Sequence, residues 1–108
     1  MNIQELTSRS KEVAELLKAV ANSHRLLILC ELNNGERTVS ALEAVVPLSQ
    51  SALSQHLAKL RDYGVVATRR EGQSIYYSLA DPRVASLIAT LSELFCTPAK
   101  SRFKGSKK

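Results

Sequence analysis

The 108-residue chain is predicted to fold as one mainly α domain carrying a single β-hairpin, in the order α-α-α-α-β-β-α. Three observations predict it. Apolar residues recur at helical spacing near both ends, as Ile3, Leu6, Val13, Leu16, Leu17 and Val20, and as Val84, Leu87, Ile88, Leu91, Leu94 and Phe95. Two short amphipathic stretches meet at Pro47-Leu48-Ser49 in the middle of the chain. Two further runs, 65–70 and 74–79, flank Glu71-Gly72-Gln73 and read as strands joined by a turn.

Each element follows from local chemistry. The first helix spans 3–20, with Glu and Lys on the faces its apolar stripe leaves open. Asn22-Ser23 can cap a second helix, roughly 24–33, with Arg25 in its first turn. That helix, Leu26-Leu27-Ile28-Leu29-Cys30-Glu31-Leu32, is apolar nearly all round and is expected at the buried centre. Asn33-Asn34-Gly35 stops it, because these residues tolerate left-handed backbone. Glu36 to Thr38 makes a short extended piece. Thr38 caps a third helix over 39–46, carrying Val39, Leu42, Val45 and Val46, and Pro47 ends it. Ser49 caps the fourth, 50–63, which turns Leu53, Leu57 and Leu60 inward and Ser51, Ser54, Gln55 and Ala58 outward. The third and fourth helices form a helix-turn-helix, and the hairpin after them is its wing. Asp81 caps the last helix with Pro82 at its first position, and Pro98 closes it. The domain thus covers 1–97. Residues 98–108 form a basic tail expected to be disordered.

The bulk properties narrow the function. A formal charge of +5 suits a polyanionic partner. No apolar run is long enough to span a bilayer, and the polar start, Met1-Asn2-Ile3-Gln4-Glu5, lacks the apolar core of a signal peptide, so a cytoplasmic protein is expected. There is no acid–histidine–nucleophile set and no phosphate-cradling glycine loop, so neither enzyme activity nor a cofactor is expected. A chain this small has a thin core and cannot cover the apolar stripes of both end helices. They are expected to pack against a second copy, giving a two-fold dimer that offers two reading helices to a pseudo-palindromic duplex.

On the fourth helix, Gln50, Ser51, Ser54 and Gln55 are the candidates for base contact, since Gln can pair with adenine and Ser with several bases. Ser51 and Ser54 could instead bond phosphate or their own helix. His56 sits at the edge of the leucine stripe, as a packing residue that touches a phosphate at most or as a base reader. Lys59 and Arg61 contact the DNA backbone or are simply solvated. In the wing, Arg69, Arg70 and Gln73 are candidates for the minor groove or phosphates, unless an arginine pairs with Glu71 instead. Tyr76 and Tyr77 face opposite sides of a strand, which puts one of them in the core. Lysines 100, 104, 107 and 108 add non-specific attraction to DNA or only solubility. Cys30 and Cys96 lie far apart, with no zinc-motif spacing, and a permanent bridge is not expected in a reducing cytosol.

The chain closely resembles the ArsR/SmtB family of bacterial repressors. The residues that carry the resemblance are Leu16-Leu17-Lys18 through Ser23-His24-Arg25-Leu26, Leu48-Ser49-Gln50-Ser51 through Gln55-His56-Leu57, Leu60-Arg61 to Gly64-Val65, and Ile75-Tyr76-Tyr77-Ser78-Leu79. Metal-sensing members carry a Cys-x-Cys type motif at the third helix and an Asp-x-His at the start of the last. Here residues 38–43 lack cysteine, Asp81 is followed by Pro82 and Arg83, and the two histidines are His24 and His56. No metal site is therefore expected, and Asp81 reads as a cap. Cys30 and Cys96 resemble in position the thiol pair of the BigR/SqrR-like persulfide and redox sensors, in which a disulfide or polysulfide bridge lowers DNA affinity. The resemblance implies a homodimeric repressor of promoter DNA, released when reactive sulfur species or, less selectively, oxidants bridge the two thiols. Three readings stand beside it: two unlinked core cysteines, a metal- or arsenite-responsive repressor recruiting an outside ligand, and a winged helix used for protein interaction.

Overall fold

Side-chain caps open all five helices of the computed structural model, which describes residues 2–96. Helix α1 (Ile3–Val20) starts with a capping box: the Glu5 amide donates to Asn2 Oδ1 at 2.8 Å and the Asn2 amide to Glu5 Oε1 at 3.3 Å. In α2 (Ser23–Leu32), Asn22 Oδ1 accepts from the amides of His24 and Arg25, each at 3.0 Å. Arg25 in turn donates from Nε to the Ala19 carbonyl at 2.7 Å and from Nη2 to that of Lys18 at 3.0 Å. One guanidinium thereby satisfies carbonyls at the end of α1 and fixes the α1–α2 corner.

Strand β1 (Arg37–Thr38) leads into α3 (Val39–Val45), capped by Thr38. Val46 is already extended, as a residue before proline must be. Ser49 caps α4 (Gln50–Asp62), and Gly64, at φ +78°, turns the chain into β2. Strands β2 (Val66–Glu71) and β3 (Ser74–Leu79) pair antiparallel, and β1 joins the other edge of β3, giving a three-stranded sheet in the order β1-β3-β2. Asp81 caps α5 (Pro82–Phe95). The elements lie within a residue or so of their expected bounds. At the end of α2 the backbone differs from expectation: Asn33 stays right-handed and Gly35 alone, at φ +135°, makes the left-handed step. The expected closure of α5 at Pro98 and the expected disorder of the tail fall outside the described residues.

The core is built from one side of each helix. Ala19 and Val20 of α1, Ile28, Leu29 and Leu32 of α2, and Leu42 of α3 meet the α4 stripe of Leu53, Leu57 and Leu60. Val46, Val65, Val66, Val84 and Ile88 complete it. Helix α2 is central, though not apolar-buried all round: Leu27 is 46% exposed and Cys30 only half-buried. The α4 stripe holds the reading head in place, so Leu57→Ala should lose about 2–5 kcal/mol through the cavity it leaves, read as a lowered urea midpoint. Ile3, Leu6 and Leu17 on α1 and Leu94 and Phe95 on α5 stay exposed in the single chain, Phe95 at 80%.

Candidate nucleic-acid interface and thiol cavity

With its leucines buried, α4 presents the opposite face. Gln50, Ser51, Ser54, Gln55, Ala58 and Lys59 are all exposed. The Ser51 hydroxyl lies 3.5 Å from the capping hydroxyl of Ser49, so Ser51 is drawn toward the helix start. His56 is half-buried on the flank of this face, and its ring meets that of His24 on α2, with centroids 5.9 Å apart and planes at 44°. Burial, followed by the positive charges of Arg25, His24 and Lys59, pushes the His56 imidazole below its usual range. The sign is then set. The unfolded chain takes up a proton at His56 near the ordinary histidine pKa of about 6.5, while the folded chain resists it. Stability is full above that pH and declines as pH falls below it. The urea midpoint should therefore drop as pH falls below about 6.5, and His56→Gln should flatten the drop. The carboxylates of Glu12, Glu36 and Asp81, all held low by arginine hydrogen bonds, add their own loss only in stronger acid.

In the wing, the sequence candidates part company. Arg69 donates from Nε and Nη2 to the two carboxylate oxygens of Glu36, at 2.7 and 2.9 Å, and from Nη1 to Glu71 at 2.9 Å. Its guanidinium also lies 4.5 Å over the Tyr76 ring. Arg70 and Gln73 are exposed at the outer end of the hairpin. Pairing with Glu71 was one reading of the sequence. Glu36, 33 residues from Arg69, was not among the residues picked out, because no local pattern announces so distant a partner. Tyr77 packs on the core and Tyr76 serves Arg69, as strand alternation requires. Asp81 accepts from the Arg83 amide at 2.9 Å and from its guanidinium at 3.0 and 2.8 Å, while Arg83 Nη1 reaches Glu12 of α1 at 2.6 Å. Among the described residues, no three His, Cys, Asp or Glu gather where they could hold a metal ion.

The two cysteines, 66 positions apart, come to one place. A cavity of about 250 Å³ between α2, α3 and α5 is lined by both Cys30 and Cys96, with Glu31, Asn33 and Asn34 at the end of α2 and Val45 of α3. Both thiols are free. Cys30 is half-buried, and burial, with some contribution from a charged Cys96, pushes its thiol up. Cys96, the residue that ends α5, is exposed.

Residues 22–68, from the α2 cap into the wing, match the family described as bacterial regulatory protein, arsR family. Over 96 residues the chain is 48% identical to the transcriptional activator HlyU of Vibrio cholerae, covering 89% of each chain. The chain belongs to the ArsR family. It is also 44% identical to the biofilm growth-associated repressor of Agrobacterium fabrum over 89% of this chain and 82% of that one. Among solved structures, the ArsR fold seen here superposes on the transcriptional repressor BigR from Xylella fastidiosa with a TM-score of 0.84 and 38% identity, covering 90% of this chain and 99% of that one. Reduced HlyU from Vibrio cholerae gives 0.83 at 46% identity, over 88% and 100%. The relatives are transcription regulators, and no described helix of this ArsR protein is long and apolar enough to cross a membrane.

Proposed function

We propose that this ArsR protein is a homodimeric, sequence-specific transcription repressor of the cytoplasm whose grip on promoter DNA is released when Cys30 and Cys96 are bridged. What supports the sensor is the sharing of one cavity by two thiols from distant parts of the chain. What supports the reader is the polar face of α4, with Gln50, Ser51, Ser54 and Gln55 toward base edges and His56 and Lys59 toward the backbone. Arg70 and Gln73 at the wing reach phosphates or the minor groove, and Arg69 holds the wing that carries them. The exposed apolar residues of α1 and α5 supply the seam between subunits. Relatives named as activator and as repressor fit one physical act, since occupying a site can block a promoter or displace another DNA binder.

The chemistry balances with an organic persulfide, R–S–SH, as the oxidant. The exposed Cys96 thiolate attacks the outer sulfur, R–S⁻ leaves and takes up a proton, and Cys96 becomes a persulfide. The Cys30 thiolate then attacks the Cys96 sulfur and hydrosulfide departs, so two thiols are oxidised to a disulfide and the transferred sulfur is reduced to sulfide. If both thiols are first persulfidated, attack of one persulfide anion on the other cysteine's own sulfur expels hydrosulfide and leaves a three-sulfur bridge. The test is a DNA shift assay run beside intact mass spectrometry after persulfide treatment, together with isotherms for zinc and arsenite. Release that tracks bridging supports the proposal. Tight stoichiometric metal binding with DNA release would replace the sensor, and binding that ignores both salt and operator sequence would remove the DNA reader.

A further inference from the structure

We infer that Glu31, Arg37 and Glu36 are positioning residues that transmit the state of the thiol cavity to the wing. The inference rests on the thiol-switch reading and deepens it by naming the route to the DNA-facing parts. Glu31 lines the cavity beside Cys30 and Cys96. Its carboxylate accepts from Arg37 Nε at 2.9 Å, in a pair only 28% and 26% exposed. Arg37 Nη1 donates to the carbonyl of Glu36 at 2.8 Å, and the Glu36 carboxylate holds Arg69 by both arms. Four charged residues thus run unbroken from the cavity to β2. Arg37 is also bonded into the sheet, opposite Tyr77 of β3.

The backbone reinforces the route. The turn that follows α2 passes through Gly35, at φ +135°, where an added Cβ would sit 3.3 Å from Arg37 Nη1. The guanidinium lies close beside the turn, with little room between them for a larger residue. Exposed ion pairs contribute little to stability. A two-armed arginine–carboxylate pair does set orientation, and orientation is what a wing needs in order to meet a groove. Joining Cys96, at the end of α5, to Cys30 draws α5 across the space Glu31 borders. Glu31 then gives up Arg37, and the hold of Glu36 on the wing shifts with it. A bridge can move this equilibrium only because it changes contacts on one side of it.

The test uses Glu31→Gln, Glu36→Gln and the double variant in the full chain. The readout is the ratio of duplex Kd after persulfide bridging to Kd when reduced. Losing a carboxylate raises general attraction to DNA, but it does so in both states and cancels in the ratio. In the unsubstituted protein the ratio should lie in the range of about 5- to 150-fold typical of coupled sites. Each single variant should bridge fully by intact mass and yet give a ratio within about twofold of one, with the double variant no lower, because both cut one route. Unchanged ratios in both singles, or losses that simply add in the double variant, overturn the route while leaving the thiol switch standing. If the unsubstituted protein binds the duplex and bridges but never releases it, both the route and the thiol switch are overturned.

Discussion

Persulfide treatment should strip the unsubstituted protein from its operator and leave Cys30→Ser and Cys96→Ser bound. The magnitude expected is the full release ratio in each variant, because a bridge needs both sulfurs. The two variants should differ in their adducts. Cys30→Ser keeps the exposed thiol and should accumulate a persulfide at Cys96, seen as one added sulfur. Cys96→Ser keeps only the half-buried thiol, whose acidity is weakened by burial, and should react slowly. Neither change should cost much stability, since Cys30 is only half-buried and Cys96 exposed. If both variants still let go of DNA on treatment, the sensor lies elsewhere in the molecule.

The second large effect concerns the reading face. Gln55→Ala should weaken operator binding by about 1–3 kcal/mol, roughly 5- to 150-fold, and relax preference at one base position, because a paired side-chain contact to a base edge is lost. Arg70→Ala should behave differently. It should weaken operator and unrelated duplex alike and lower the slope of log K against log salt by about one, the signature of a phosphate contact. Isotherms on the operator and on a scrambled duplex, each at several salt concentrations, separate the two. Loss of equal size on both duplexes for Gln55→Ala would contradict base reading from α4. Circular dichroism should show both variants folded, as both side chains are exposed.

Much of this was legible in the chain because it rests on near neighbours. Asn22, Thr38, Ser49 and Asp81 each cap a helix, since a short polar side chain can reach an amide two or three positions on. The leucines of α4 went to the core because the 3.6-residue period leaves them one shared face. Arg83 neutralises Asp81 from two positions away, so the absence of an Asp-x-His pattern could be read directly. Other features had no local signal. The carboxylate that holds Arg69 is 33 positions away, and Glu12 and Arg83 meet across 71. Arg25 looked like an ordinary first-turn residue of α2, yet it closes the end of α1. The ring contact between His24 and His56 joins the first turn of α2 to the middle of α4, two elements that share no pattern.

By itself the amino-acid order determined the five helices, the hairpin, the face of α4 that stays polar and the family, because caps, turns and apolar periods act within a few residues of one another. Only the folded chain decided which charges meet and that Cys30 and Cys96 border the same space. Those meetings depend on how α2, α3, α5 and the sheet pack around the leucine core. A small change in packing would leave every local rule obeyed and still move the partners apart.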